Sequence, residues 1–469
     1  MLNNVKTDNL DKEIQKVLVR LERVRTNSNH PENASELETL EREIVSETDK
    51  LAALLIGRRV QNALDDEEMK KNSQELANNH PKPMKNNGNK DVQIKPLRGG
   101  TVTIKATYYC RKGKVGKKKR NGLYAGLVLL GIHDRVTPGL ASEASMLSVI
   151  SGSLNEAQQV LKEFGLKLDT KTLRDITYRY AQHARMALNN ASLKFTENVA
   201  GCRVVVSTDG GRIRIRKNKR GPKTSKRRSY YYTDWREPKL LNIYVVDKEG
   251  KKVKDIMPFI DGTMKGPDAI FMMLRYYLSR LGISKADTLL IVADGARWIW
   301  NRTADLITDL GIEVEKVFEL VDFYHAVEHL AKVASLCKSW KSNERKYWIV
   351  RQRKFLKKGK TEQVINAIQS LCRGRNSAKM RRERNYFIHN KYRMNYAGIG
   401  QMKLPLGSGA MESAVRRVIN LRLKGAGIFW NKENAEAIIL LRSFYKAGRW
   451  NMLKRLVFSN NLNSSEVTN

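Results

Sequence analysis

Residues 201–216 read GCRVVVSTDGGRIRIR, and their order decides the fold. The run Val204 to Val206 is apolar and β-branched, as a strand buried on both faces requires, and it ends at Asp209-Gly210. The same pattern returns at residues 288–295, TLLIVADG, where Asp294 and Gly295 close a second short apolar run. Around these two segments, Cys202 to Ser207, Leu240 to Val246 and Ile256 to Ile260 read as three early strands. A helix over Asp268 to Leu281 follows, then the strand Thr288 to Ala293, a helix over Arg302 to Leu310 and a strand over Lys316 to Val321. Three antiparallel candidates followed by alternating helix and strand predict a mixed α/β sheet.

Metal-dependent phosphodiester chemistry needs two or three carboxylates that converge on a hard, oxygen-preferring cation, and strand ends hold them rigidly. A single Asp-Gly is usually a tight turn; two of them, each ending an apolar strand of a basic chain, point to such a site. The glycine leaves no side chain to crowd a metal or phosphate and frees the backbone to turn. A third acid is expected on a nearby helix, and Glu412 in LGSGAMESAVRRVINLRLKGAG (residues 406–427) is the candidate. Gly407, Ser408 and Gly409 read as a flexible approach to that helix. Glu412 falls in its first turn, where a negative charge also suits the helix dipole. Arg416 and Arg417 lie one turn onward, suited to the phosphates flanking a scissile bond.

The 469 residues carry 87 Lys and Arg against 48 Asp and Glu, a formal charge of +39, with 41% apolar residues. Such a chain folds and is strongly cationic, so a polyanionic partner is expected. Membrane is the weaker choice, since no apolar run approaches the roughly 20 residues a span requires. The N-terminal residues lack a secretory pattern, so a cytoplasmic location is expected. Cys110, Cys202, Cys337 and Cys372 form no CxxC pair, and four separate thiols are the expectation.

The charge is unevenly placed: residues 1–79 hold 12 basic and 16 acidic side chains, a net of −4, which leaves +43 for residues 80–469. Residues 1–79 read as an acidic helical hairpin, a self-association element or an appendage packed on its own chain, with Ser35 and Glu38 offering a capping box. Residues 80–91 read as a linker, 92–135 as a basic β-rich segment with the loop RKGKVGKKKR, and 136–200 as a helix-turn-helix-like DNA-binding region. In the latter, Asn155 to Phe164 and Thr170 to His183 form two helices, and Lys171 and Arg174 of the second could face a major groove; a plain helical hairpin fits the pattern as well. Residues 201–321 and 406–456 make up the α/β core, the second part as two helices over 410–424 and 431–456. Between them residues 322–405 are helical and basic, and 457–469 form a polar tail.

Ten of the 17 residues from Arg212 to Arg228 are Lys or Arg, including Arg214, Arg216, Lys217 and Arg227, and a β-hairpin gripping DNA beside Asp209 is the favoured account over a solvated loop. Trp298 and Trp300 follow Asp294 directly, while Phe429, Trp430 and Trp450 stand among Arg422, Lys424 and Arg449; such aromatics could stack on unpaired bases or pack in the core. His325 and His329 are spaced for zinc, but HAVEH lacks a glutamate in the metalloprotease position, and the zinc reading is rejected.

The strings TDGGRIRIR, ADGARWIW, DFYHAVEHL and GSGAMESAVRRVINLRLKGAGIFW resemble those of bacterial insertion-sequence transposases of the DDE class, in particular the Kra-type group related to Lre-type and mutator-like elements. The resemblance covers roughly residues 95–450. It implies an RNase H-like catalytic domain interrupted by an all-α insertion between the second Asp and the Glu. It further implies that Asp209, Asp294 and Glu412 hold Mg²⁺ (or Mn²⁺), with Asp322 and His325 as auxiliary residues matching an Asp-x-x-His motif. The implied partners are DNA, as terminal inverted repeats and target, and further copies of the chain on paired ends, within a bacterial, nucleoid-associated setting. An RNase H-like nuclease or junction resolvase would use the same acids, and a non-catalytic transposase-derived DNA-binding protein is the rival outside enzymes.

Overall fold

In the computed structural model the described residues are 9–26, 30–111, 122–190, 195–225, 227–372 and 377–459. They form two units, Met1–Leu193 with Asn451–Asn469, and Lys194–Trp450. Among the described residues no helix is long and apolar enough to cross a membrane.

The first unit opens with three helices where a hairpin was expected: α1 (Asn9–Thr26), α2 (Ala34–Asp65) and α3 (Glu67–Asn78). The α2 cap is Asn33, whose side chain accepts from Ser35 N and Glu36 N, while Glu36 reaches back to Glu32 N. Ser35 already lies inside the helix, so the expected box at Ser35 and Glu38 is displaced by two residues. The supposed linker is largely strand: β1 (Met84–Ile94) pairs antiparallel with β2 (Val102–Arg111). Of its side chains only Met84, Val92 and Ile94 are buried, so alternation is legible only from Val92 onward. The alternating β2, with Val102, Ile104 and Ala106 inward, templates it. A short β3 (Gly122–Leu123) and α4 (Ala125–Leu129) complete this part, and residues 112–121 with most of the basic loop lie outside the described set.

Helices α5 (Pro138–Ile150), α6 (Leu154–Glu163) and α7 (Thr170–Asn189) enclose a cluster around Leu140, Leu161 and Leu173. Helix α5 was not anticipated, and α7 runs past the expected end at His183. On α7, Lys171 is exposed, whereas Arg174 is bonded to Asp175 and Arg179 is paired with Asp134.

The second unit is built on β4 (Arg203–Gly210), the hairpin β5 (Ile213–Lys223) and β6 (Ser229–Arg236), then β7 (Lys239–Val246), β8 (Phe259–Thr263), α8 (Pro267–Arg280), β9 (Thr288–Ala293), α9 (Arg297–Asp309) and β10 (Val317–Val321). Five strands form one sheet in the order β10-β9-β4-β7-β8. β7 is antiparallel to β4 and β8, and β9 is parallel to β4 and β10, so the sheet is mixed, as expected. β8 begins at Phe259 rather than Ile256 because Pro258 has no N–H to give the ladder. α9 starts at Arg297, earlier than expected, since Ile299 and Trp300 already supply its buried face.

The helical segment expected over 322–405 comprises α10 (Phe323–Leu336), α11 (Ser342–Lys357), α12 (Thr361–Cys372), α13 (Ala378–Asn390) and α14 (Tyr396–Gln401). Then α15 (Gly409–Val415) passes through a π-turn (Arg416–Asn420) into α16 (Leu421–Leu423). The helix expected over 431–456 is two, α17 (Lys432–Lys446) and α18 (Trp450–Ser459), broken at Gly448, whose φ of 76° only glycine adopts readily. Residues 457–459 of the supposed tail belong to α18. None of the four cysteines forms a disulfide.

Candidate catalytic centre

β4 and β9 run parallel with Arg203 opposite Thr288 and Val206 opposite Ile291. Carried to the strand ends, that register sets Asp209 level with Asp294. On the other side of β9, Val321 of β10 faces Ala293, so the next pair is Asp322 and Asp294. The backbone ladder thus lines up three aspartates at three neighbouring strand ends, independently of their side chains.

Their environments differ. Asp209 is half-buried and takes one hydrogen bond, from Gly210 N at 2.6 Å. Desolvation lifts its pKa to about 6; the Asp294 and Glu237 charges add to the lift, while the Gly210 bond and His325 oppose it. Asp294 Oδ1 accepts from Ala296 N at 3.0 Å, and its backbone carbonyl takes the Trp300 indole N–H at 2.8 Å. Two mutually repelling carboxylates with lone pairs to spare suit a hard divalent cation.

Asp322 is fully buried and saturated. Its Oδ1 caps α10 by accepting from Tyr324 N at 2.6 Å and His325 N at 3.0 Å. Its Oδ2 accepts from Ser408 Oγ at 2.6 Å and from Ser408 N. Its own N–H donates to Ala293 O at 2.7 Å, and Phe323 N to Leu406 O at 3.0 Å. One aspartate therefore ties the end of β9, the start of α10 and the approach to α15 together. The Gly407-Ser408-Gly409 stretch is accordingly a pinned turn rather than a flexible one. A Cβ on Gly407 would lie 2.7 Å from the Tyr324 ring, and Ser408 supplies both donors.

Glu412 is exposed on α15, with Oε1 3.8 Å from His325 Nε2. The ligand atoms of Asp322, His325 and Glu412 lie within 4.8 Å of one another, and among the described residues this trio, not Asp209, Asp294 and Glu412, makes the tight group. The four lone pairs of Asp322 are already committed, so it would have to break its latch to bind a metal, and we read it as structural. His325, beside Glu412 and within electrostatic reach of Asp209, bridges the two halves of the centre.

The glycines after the aspartates serve close packing, not turning: neither Gly210 nor Gly295 has positive φ. A Cβ on Gly295 would strike the Tyr386 ring, and one on Gly210 the flexible side chain of Glu237. On Gly211 it would lie 2.9 Å from Ile419 of the π-turn, which is how the Glu412 helix comes to rest on the end of β4. Tyr386 of α13 stacks on His329 (ring centroids 3.6 Å apart, 17° between planes), and His329 Nδ1 is 2.5 Å from Glu383. The Tyr386 hydroxyl is buried with no hydrogen-bond partner among the described residues, and burial, then the charges of Asp294 and Asp322, hold it protonated. No motif flagged Tyr386 or Glu383, and Ser408 was read only as part of a flexible approach; long-range contacts identify all three. Beside Gly295 a cleft of about 730 Å³ is lined by Arg297, Arg381, Arg382 and Arg393.

Of the proposed DNA contacts, Arg416 is exposed, and Arg417 is half-buried with its Nε at 3.3 Å from Ser413 O. Lys424 is exposed. Arg422 is buried, its guanidinium 5.3 Å from the Trp430 ring centroid, and Trp430 Nε1 donates to Leu423 O at 3.1 Å. That pair holds the loop after α16 and leaves little for DNA. Trp298 sits against Lys239 and Phe271, while Trp300 and Trp450 are buried, so these tryptophans are packing residues. Arg227, with φ of 56°, and Arg228 shape the β5–β6 turn, where Arg228 N donates to Thr224 Oγ1 at 3.1 Å.

The sequence matches no family model, and no curated protein or solved structure is similar to it at a significant level.

Proposed function

We propose that this chain is a metal-dependent DNA strand-cutting and strand-joining enzyme of the DDE transposase kind, with an RNase H-like core. The observation that carries the reading is the parallel register of β4 and β9, which, continued past Val206 and Ile291 to the strand ends, sets Asp209 level with Asp294, whose charge acts on it. Three antiparallel strands, β4, β7 and β8, flanked on the β4 side by parallel β9 and β10, support the RNase H-like assignment. The helical insertion over 322–405 falls between Asp294 and Glu412, in keeping with it.

In this reading Asp209, Asp294 and Glu412 hold Mg²⁺ or Mn²⁺, which when bound supplies charge stabilisation and activates an oxygen nucleophile. The protein's part is positional. The ladder sets the spacing of the two aspartates, the Asp322–Ser408 latch and the Gly211–Ile419 contact hold the Glu412 helix over them, and the His325 imidazole faces Glu412. The Arg-lined cleft beside Gly295 and the exposed Arg416 offer phosphate contacts on two sides.

The test is to incubate the purified chain with Mg²⁺ and the DNA flanking its own reading frame and to map cut and joined ends. Cleavage at terminal repeats with joining of 3′ ends is expected. Cutting without joining would instead select the nuclease or resolvase reading, and DNA binding with neither reaction would select the non-catalytic one.

A further inference from the structure

The β5–β6 hairpin carries an aromatic and cationic face that the catalytic reading does not use. In an antiparallel pair, residues directly opposite share a face. Arg214 is opposite Trp235, Arg216 opposite Thr233 and Asn218 opposite Tyr231, which places Arg214, Arg216, Trp235 and Tyr231 on one side. Ile213 and Ile215 point the other way and are buried. On the outer side Trp235 is 48% and Tyr231 44% exposed, a large amount of ring for a protein to leave in water.

The rings and cations alternate. Arg212 lies 5.5 Å from the Trp235 centroid, Arg214 4.6 Å from Phe429 and Arg216 5.5 Å from Tyr231, while Tyr231 and Phe429 are 5.8 Å apart. Phe429 is fixed from outside the hairpin: Trp430 N donates to Arg214 O at 3.0 Å and Arg216 N to Trp430 O at 2.8 Å. Arg214 also donates to Gly425 O at 2.6 Å. Among the described residues no carboxylate pairs with Arg212, Arg214 or Arg216; the hairpin's one acid, Asp234, is bonded to Lys217 and Arg236.

We propose that this face binds unpaired nucleobases, as a stacking platform for a single DNA strand. Exposed rings need flat π-faces to cover them, and interleaved guanidinium groups that no carboxylate neutralises need anions; a single strand offers both in alternation. A duplex hides its base faces, and a second copy of this strongly cationic chain brings like charge. The inference rests on the DNA reading above and deepens it, since the protein would then hold a melted or frayed strand near Asp209.

The test uses the full chain without divalent metal, an oligo-dT strand, a mixed-sequence strand carrying 2-aminopurine, and the matching duplex. Wild type should quench 2-aminopurine in the single strand on binding. The pair Tyr231→Ala with Trp235→Ala should lose at least about tenfold in single-strand affinity, against less than about threefold for duplex. Tyr231→Phe with Trp235→Phe should restore it. The proposal is overturned if 2-aminopurine is not quenched by wild type, if single-strand and duplex affinity fall in parallel, or if the alanine pair changes only the oligomeric state. Should the alanine pair fail to fold, wild-type quenching and the phenylalanine pair still decide. Catalysis is read separately: cleavage that survives Asp209→Asn sinks the catalytic reading and leaves this one standing, whereas normal cleavage without quenching does the reverse.

Discussion

The ends of β4 and β10 each present an aspartate at one level of one sheet, yet the surroundings give the two opposite tasks. Asp209 receives a single local hydrogen bond, sits near another carboxylate and has its pKa pushed up to about 6. Asp322 receives four donors from two segments far apart in sequence and is completely buried. An under-satisfied carboxylate is a ligand in waiting; a saturated one is a structural joint. What separates them is the supply of N–H and O–H groups around each, not the residue type or its position on the sheet.

The comparison can be broken most directly by charge-neutral substitution. Asp209→Asn or Asp294→Asn should lower Mg²⁺-dependent DNA cleavage by on the order of a thousandfold or more, with circular dichroism and duplex affinity close to wild type. If either variant cleaves at the wild-type rate, the strand-end pair is not the metal site. Asp322→Ala should instead unfold the second unit more easily, by about 3 kcal/mol in denaturant titration, because four donors lose one buried acceptor. A stable Asp322→Ala protein that had lost only cleavage would mean that Asp322 is a ligand and not a latch.

A smaller effect concerns pH. The Asp209 carboxyl binds its proton more tightly in the folded chain than at its ordinary value of 3.8, so the folded state of the metal-free protein is disfavoured as pH rises from about 4 through 6. Asp209→Asn removes that penalty. It should stabilise the metal-free protein above pH 6 by up to about 3 kcal/mol and have little effect near pH 4, as read by thermal melts across that range. Added Mg²⁺ should stabilise wild type above pH 6 and not the variant. Equal melting curves at all pH values would show that the carboxylate is not desolvated.

The smallest expected effect separates the two Asp-Gly steps. Gly295→Ala meets the Tyr386 ring, which is clamped against His329, and should cost about 1–3 kcal/mol. Gly210→Ala meets the movable Glu237 side chain and should cost less than about 1 kcal/mol. Equal costs would mean that α13 does not press on the Asp294 turn as described.

Much of the sheet was legible because its strands are short apolar runs closed by polar residues: Thr288 to Ala293 was placed to the residue, and β4, β7 and β10 within a few. Most of β1, residues 84–91, was not, since a polar stretch of strand held by its neighbour carries no periodic signal of its own. The aspartates, Glu412 and His325 were singled out by motif, whereas the burial of Arg422 against Trp430 was not legible, because charge and aromaticity do not say whether a side chain points inward. Tyr231 and Trp235 went unremarked beside the many cations of the same hairpin.

By itself, then, the sequence determined the mixed sheet, the positions of the acids along the chain and the concentration of positive charge after residue 80, because periodicity, strand ends and composition are local properties. Only the tertiary structure decided which aspartate is saturated and which is poised, why Gly211, Gly295 and Gly407 lack side chains, and which arginines remain outside. Those depend on hydrogen-bond donors and packing surfaces brought from tens to hundreds of residues away, such as Ser408 to Asp322, Ile419 to Gly211 and Tyr386 to Gly295, and no local pattern encodes such meetings.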